Sequence, residues 1–222
     1  MDIKAVVFDC DDTLLDSMSM WRSVLPEVLS GYAGHEAAQK HQARAETMGA
    51  DEGLALFVEE NGLAVDPASI KAKVMERAHW HYAHDVPAIE GAREFLEQVR
   101  EAGLPMAVAS CSELPEVECG LQANGLLGFF DAIYSVSMGY ASKSEPDMWL
   151  AAARDFCLDP SQVLVVEDSL HAVTVAAAAG FPTLGLTWPT SRHCLEEMEA
   201  AAAVALPAGW QGVSLSEVLE AL

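Results

Sequence analysis

The stretch Val6-Val7-Phe8-Asp9-Cys10-Asp11-Asp12-Thr13-Leu14-Leu15-Asp16 is an apolar run that ends in a group of carboxylates. Residues 3–8 are almost all apolar, which is typical of a central parallel strand buried on both faces. Side chains alternate along a strand, so we expect Asp9 and Asp11 to lean toward the same space. Two carboxylates at short range repel unless a cation or a shared proton lies between them. This strand end is therefore predicted to be a reaction centre that holds a hard metal ion, works as an acid/base pair, or does both.

Length and composition limit the classes of protein to which the chain can belong. A chain of 222 residues holds one large domain, or a main domain with a smaller inserted one, and its 51% hydrophobic residues fit a soluble globular protein. The balance of 12 Lys and Arg against 34 Asp and Glu gives a net charge of −22. This acidic excess argues against nucleic acid or an anionic membrane surface as a partner. It also repels an anionic substrate unless a bound cation inverts the local field.

The cysteine pattern and the absence of apolar spans indicate a cellular compartment. The 5 cysteines are odd in number and lack a paired metal-binding spacing, so a disulfide framework is not expected. The sequence runs from Met1 directly into the first strand without a signal peptide, and no apolar run approaches the roughly 20 residues of a membrane span. We therefore expect a cytoplasmic protein. Its oligomeric state stays open between a monomer and a weak dimer.

The order of apolar segments predicts an α/β fold. Helical patterns separate the first strand from five further strand-like segments, which indicates a doubly wound parallel sheet with helices on both faces. Residues 17–87 interrupt this alternation with several helical segments and no convincing strand. We expect them to form an inserted all-helical domain, with residues 1–16 and 88–222 as the core. The five later strands are predicted at Met106–Ser110, Ala132–Val136, Val163–Val166, Pro182–Leu186 and Ala202–Leu206.

Ligands bind beyond the carboxyl ends of the strands in an open parallel sheet, so the polar residues there are the candidates for chemistry. The predicted strand ends and the loop after the third strand bring carboxylates, hydroxyls, a thiol and one ammonium to a single crevice. These residues are Asp9, Asp11, Thr13, Ser110, Cys111, Ser112, Lys143, Glu167 and Asp168.

Four of these features, in this order along the chain, resemble the motifs of the haloacid dehalogenase superfamily. They are the Asp-x-Asp-x-Thr pattern at residues 9–13, Ser110, Lys143 and the acidic pair Glu167-Asp168. The resemblance is to phosphatases of the phosphoglycolate phosphatase and β-phosphoglucomutase group. It implies a Rossmann-like core with an inserted helical cap, and a Mg2+-dependent phosphatase that acts on a small phosphorylated metabolite.

The resemblance also implies catalytic roles. Asp9 would attack phosphorus and form an aspartyl-phosphate, and Asp11 would protonate the leaving oxygen and later accept a proton from water. Ser110 and the backbone amides of Asp11 and Cys111 would hold phosphoryl oxygens, and Lys143 would neutralise their charge. Thr13 and Ser112 are further candidates for substrate binding.

The metal ligands follow from the same resemblance. Mg2+ would be held by the carboxylate of Asp9, the backbone carbonyl of Asp11 and Asp168. Glu167 would assist through water or by orienting Lys143. Asp12 stands where many relatives have glycine, which is a departure from the usual pattern.

Other functions remain open at this point. The nearest is a phosphosugar mutase of the β-phosphoglucomutase kind, but such relatives place a histidine early in the cap, where this chain has Met18-Ser19-Met20-Trp21. A haloacid dehalogenase needs no acid/base at the second aspartate, so Asp11 argues against it. A non-catalytic binding protein on the same fold is the remaining alternative. Cys10 and Cys111 are expected to be small apolar fillers, with sensitivity to oxidation as the other reading.

Overall fold

The computed structural model describes residues 2–45, 50–189, 191 and 193–222. The chain divides into two compact units. The first comprises Met1–Asp16 and Pro87–Leu222, and the second comprises Ser17–Val86.

The first unit is built on a parallel sheet of six strands, in the part of the chain that the structure describes. The strand order is β3-β2-β1-β4-β5-β6, so the first strand lies in the middle. All six segments that the sequence predicts as strands are strands in the structure. Their bounds are β1 Ala5–Phe8, β2 Met106–Ser110, β3 Ala132–Ser135, β4 Val163–Glu167, β5 Thr183–Leu186 and β6 Val204–Leu206.

The described ranges also contain ten α-helices, four in the second unit and six in the first. Those of the second unit are α1 Met18–Ala33, α2 His35–Ala45, α3 Ala50–Glu60 and α4 Pro67–His84. Those of the first unit are α5 Ala92–Glu101, α6 Leu114–Ala123, α7 Asp147–Asp155, α8 Leu170–Ala178, α9 Leu195–Ala201 and α10 Leu215–Ala221.

Helices cover both faces of the sheet, which explains why β1 is apolar at every position. Val7 belongs to a buried cluster that includes Trp149 of α7 and Ala172 of α8. Phe8, the next residue, contacts Phe95 of α5 with ring centroids 6.2 Å apart. Successive side chains of a strand point to opposite faces, so these two contacts lie on opposite sides of the sheet. The predicted doubly wound α/β core is confirmed.

The second unit is all-helical within its described residues, as the sequence predicts. The indole of Trp21 in α1 donates a hydrogen bond of 3.0 Å to the hydroxyl of Tyr82 in α4. Helix α1 continues through Pro26, where a kink or a break is expected from the missing N–H group, and it is not broken. Among the described residues, no helix combines the length and the apolar character that crossing a bilayer requires.

The turn before α5 places a glycine where no other residue fits. Gly91 has φ +86° and precedes the helix, and a Cβ atom built on it would lie 2.9 Å from both Cβ and the carbonyl oxygen of Trp210. The pair Ser214 and Glu217 suggests a capping box for α10 from the sequence, but it is not formed, because the hydroxyl of Ser214 lies 2.7 Å from that of Ser216 and accepts no bond from the helix.

Replacing Gly91 with alanine is expected to lower the free energy of unfolding by about 3 kcal/mol, as measured by urea denaturation. The loss combines the cost of a left-handed backbone for an L residue with overpacking against Trp210. Gly103→Ala is the matched control, since Gly103 has φ +71° but nothing within 4 Å of the added atom. It should lose about 1 kcal/mol. Equal losses in the two variants would mean that the contact with Trp210 contributes nothing.

Candidate active site

The candidate site begins where β1 ends in a tight turn. The N–H of Asp9 donates to a backbone carbonyl of β4 at 2.9 Å, which continues the sheet by one residue. The carbonyl of Cys10 then accepts from the N–H groups of Leu14 and Leu15, both at 2.9 Å, and Asp12 donates to the carbonyl of Leu15 at 2.8 Å. Hydrogen bonds within residues 10–15 therefore close this segment into a turn, which is called the catalytic turn below.

The departure from glycine at position 12 has a structural explanation. Asp12 has φ +55°, which is the left-handed region. Glycine adopts this conformation without strain, and aspartate is among the few other residues that tolerate it. The backbone of the catalytic turn is thus the same kind of turn that glycine would make.

The ammonium of Lys143 lies between two carboxylates. It donates hydrogen bonds to Oδ1 of Asp9, at the end of β1, and to Oε1 of Glu167, at the end of β4. All three residues are less than one tenth exposed. Because β1 and β4 are neighbours, the sheet itself brings the two carboxylates together.

Burial and charge shift the pKa values of this group. Burial raises the pKa of Asp9 to about 8, even though Lys143 lowers it. Burial alone would lower the pKa of Lys143, but the charges of Asp9 and Glu167 outweigh it and raise the pKa above its ordinary value. The lysine therefore keeps its proton and compensates negative charge in a poorly solvated site.

The second aspartate of the motif has different partners. Oδ2 of Asp11 accepts a hydrogen bond of 2.6 Å from the hydroxyl of Ser112 and lies 3.5 Å from the hydroxyl of Ser110. The N–H of Ser112 donates to the hydroxyl of Ser110 at 3.0 Å. The carboxylates of the motif thus have separate environments, Asp9 beside a cation and Asp11 beside hydroxyls at the end of β2. Such a division suits two different chemical roles.

Three carboxylates of the site could hold a metal ion. Oxygen atoms of Asp9, Glu167 and Asp168 all lie within 4.8 Å of one another, and hard divalent cations prefer such ligands. Burial, followed by the charges of Asp9 and Glu167, raises the pKa of Asp168 well above its ordinary value. A cation would relieve this repulsion, so the residues present fit a metal. Asp11 turns its carboxylate to Ser112, so its contact with metal stays a prediction for its backbone carbonyl alone.

The remaining predicted residues lie at the same edge of the sheet but differ in exposure. Thr13 is fully buried, and within the described chain its hydroxyl has no hydrogen-bond partner. Cys111 is exposed. Cys10 is fully buried, and burial raises the pKa of its thiol well above the ordinary value, which suits a filler rather than a reactive thiolate.

Sequence reasoning missed two residues that contact the catalytic turn. Trp188 follows β5 and Trp210 precedes α10, and each donates an indole hydrogen bond to a backbone carbonyl of the turn. No motif marks them, because their partners are backbone atoms almost the whole sequence away.

Comparison with known proteins identifies relatives over most of the chain. A family model described as haloacid dehalogenase-like hydrolase matches residues 3–180. Protein SUPPRESSOR OF QUENCHING 1, chloroplastic, of Arabidopsis thaliana is 30% identical over 203 residues, which are 88% of this chain but only 19% of that protein. Pyrophosphatase PpaX of Bacillus velezensis is 27% identical over 84% of each chain. The crystal structure of CbbY from Rhodobacter sphaeroides in complex with phosphate has a TM-score of 0.76, with 25% identity over 96% of this chain and 98% of that one.

Removing the buried ammonium of Lys143 should destabilise the folded protein. We expect Lys143→Met, in a metal-free buffer at neutral pH, to lower the free energy of unfolding by about 3–5 kcal/mol, because two buried carboxylates lose their compensating charge. Lys4→Met is the control, since its ion pair with Asp2 is exposed and such pairs contribute about 0–1 kcal/mol. Denaturant unfolding followed by circular dichroism measures both. The idea fails if the two variants are equally stable.

Proposed function

Because the chain belongs to the haloacid dehalogenase-like hydrolase family, we propose that it is a Mg2+-dependent phosphatase that hydrolyses a small phosphorylated metabolite through an aspartyl-phosphate on Asp9. The observation that carries the proposal is the buried group of Asp9, Lys143 and Glu167 at the carboxyl edge of the sheet. A carboxylate oxygen of Asp9 lies there beside the ammonium of Lys143. This is the arrangement that phosphoryl transfer needs, because its catalysis is mainly positioning and electrostatic stabilisation.

The proposed reaction has two steps. A carboxylate oxygen of Asp9 attacks phosphorus while the bond to the leaving oxygen breaks, and protonated Asp11 gives its proton to that oxygen. Water then attacks the phosphorus of the aspartyl-phosphate, Asp11 takes the proton of that water, and phosphate leaves Asp9 free. The separate partners of the two aspartates support this division of roles.

Other residues of the site stabilise charge during both steps. The hydroxyls of Ser110 and Ser112 and the amide of Cys111 are proposed to bind phosphoryl oxygens, and the ammonium of Lys143 neutralises their charge. Thr13 is proposed to support this edge of the site. A divalent cation held by Asp9, Asp168 and the backbone of Asp11, with Glu167 nearby, would supply further positive charge for an anionic substrate.

The proposed substrate class and the proposed cellular location rest on less direct observations. PpaX is named a pyrophosphatase and CbbY was crystallised with phosphate, which favours phosphate esters or anhydrides as substrates here. The helical unit, Ser17–Val86, is proposed to be a cap, and specificity would reside in it. All 5 cysteines are free, which favours a reducing cytoplasm.

A screen of phosphorylated metabolites for phosphate release tests the activity, and two variants test the mechanism. Asp9→Asn should lower turnover at least about a thousandfold, because the nucleophile is lost. Asp11→Asn should lower it about a hundredfold or more through loss of the general acid. Incubation with beryllium fluoride should place an adduct on Asp9 in the wild-type protein.

Two results would contradict this assignment. An Asp9→Asn variant with near-normal activity would remove Asp9 from the nucleophile role. Conversion of a hexose 1-phosphate to the 6-phosphate, without release of phosphate, would favour the mutase.

Metal binding should depend on pH. The pKa of Asp9 is higher in the metal-free folded protein than in the unfolded chain. Without a bound metal ion, the carboxyl group of Asp9 therefore stabilises the folded state at low pH. This contribution is lost as pH rises from about 4 to about 8. We therefore expect the increase in Tm caused by Mg2+ to grow between about pH 6 and pH 8, where protons stop competing for the carboxylates.

Thermal unfolding with Mg2+ or EDTA measures this increase. Asp168→Asn should reduce it at every pH, whereas Asp2→Asn, whose side chain is 80% exposed, should leave it unchanged. A Mg2+ effect that ignored pH, or that survived in Asp168→Asn, would speak against this metal site.

A further inference from the structure

We propose that Trp188 and Trp210 are positioning residues of the proposed reaction, because their indole N–H groups fix the catalytic turn that carries Asp11. The inference rests on the proposed function for its catalytic consequence. Neither tryptophan belongs to the four motifs.

The two hydrogen bonds are short and act on consecutive peptide groups. Nε1 of Trp188 donates to the carbonyl of Asp12 at 2.8 Å, and Nε1 of Trp210 donates to the carbonyl of Thr13 at 2.7 Å. An indole has one donor and no acceptor, so each ring is committed to a single carbonyl. The donors come from two different segments, after β5 and before α10, and they act on the turn together.

Among the described residues, the carbonyls of Asp12 and Thr13 accept hydrogen bonds from the two indoles. The internal bonds of the catalytic turn engage the carbonyls of Cys10 and Leu15 and the N–H of Asp12. A buried carbonyl without a partner is unfavourable. Asp12 also lies at φ +55°, a left-handed conformation that aspartate tolerates but that is less favourable than the right-handed one. The bond from Trp188 restrains the peptide group between Asp12 and Thr13, one residue along the chain from Asp11.

Each tryptophan is fixed in place by surroundings that fit its ring. Ser191 holds the backbone of Trp188 through two hydrogen bonds. The N–H of Trp188 donates to the hydroxyl of Ser191 at 2.9 Å, and the N–H of Ser191 donates to the carbonyl of Trp188 at 3.0 Å. The ring of Trp188 lies where a side chain at Gly209 would be, since a Cβ atom there would come within 1.8 Å of it. Trp210 is 2% exposed, and its ring centroid lies 4.5 Å from that of Phe95. Both donors are therefore preorganised.

The expected effect is selective. Asp11 must reach the leaving oxygen to protonate it, and small errors in the position of a catalytic group lower the rate strongly. Loosening the turn should therefore lower kcat/KM, which reports the first step, for an alkyl phosphate, whose leaving group needs a proton. It should matter less for dinitrophenyl phosphate, whose leaving group departs as the anion. The second step, in which Asp11 accepts a proton from water, is common to both esters, so kcat/KM rather than kcat carries the comparison.

The test replaces each indole N–H by sulfur, with 3-benzothienylalanine incorporated at position 188 or 210 of the full chain. This isostere keeps the shape of the ring and removes the donor, so it avoids the cavity that Trp210→Phe would leave. We expect kcat/KM for the alkyl phosphate to fall about tenfold, the equivalent of one hydrogen bond. The fall for dinitrophenyl phosphate should be clearly smaller.

The matched control is Trp149, whose buried indole N–H has no hydrogen-bond partner in the described chain. The same isostere at position 149 should leave kcat/KM unchanged. The inference is overturned if the replacements at 188 and 210 leave kcat/KM unchanged, lower it equally for both esters, or affect it no more than the replacement at 149.

Amide hydrogen exchange separates this inference from the proposed function. The N–H groups of Leu14 and Leu15 close the turn, and we expect them to exchange about tenfold faster in the variants at 188 and 210 than in wild type. Unchanged exchange would overturn the inference even if the enzyme is active. A wild-type protein that hydrolyses neither ester would refute the proposed function, and the exchange rates would still decide whether the indoles hold the turn.

Discussion

The ammonium of Lys143 is the charge on which the site depends. The net charge of the chain is −22, and the parallel sheet places carboxylates at the ends of the adjacent strands β1 and β4. Asp9 and Glu167 are buried there, and burying a charged group is unfavourable unless it is paired. Lys143 contacts both, so the loop after β3 is tied to two strand ends. This one interaction makes a cluster of acidic side chains compatible with a folded core.

The sheet geometry also explains why two aspartates of one motif behave differently. Asp9 extends β1 and lies beside Lys143, whereas Asp11 is already within the catalytic turn and lies beside Ser110 and Ser112. Asp9 and Asp11 are only two residues apart, yet the side chain of Asp9 lies near the end of β4 and that of Asp11 lies near the end of β2. The strand order, with β1 between those neighbours, thus gives the two aspartates different partners.

Much of this could be predicted from sequence, for identifiable reasons. The strands follow from short apolar runs, and the polar residues at their ends follow from the rule that ligands bind there. Local departures from the usual helix-breaking and helix-capping rules were harder to predict. Helix α1 runs through Pro26, and Ser214 bonds to Ser216 instead of capping α10. The two tryptophans could not be found at all, because a hydrogen bond to a backbone carbonyl leaves no trace in the identity of the acceptor residue.

The contact between Trp210 and Thr13 has a consequence for how the protein matures on the ribosome. The two residues are 197 positions apart. At about 5–20 residues per second, synthesis needs roughly 10–40 s to travel from one to the other. The motif at residues 9–13 is thus translated early, yet its turn stays without the donor of Trp210 until 197 further residues have been made. A nascent chain that ends before Trp210 therefore lacks one of the two indole bonds to this turn.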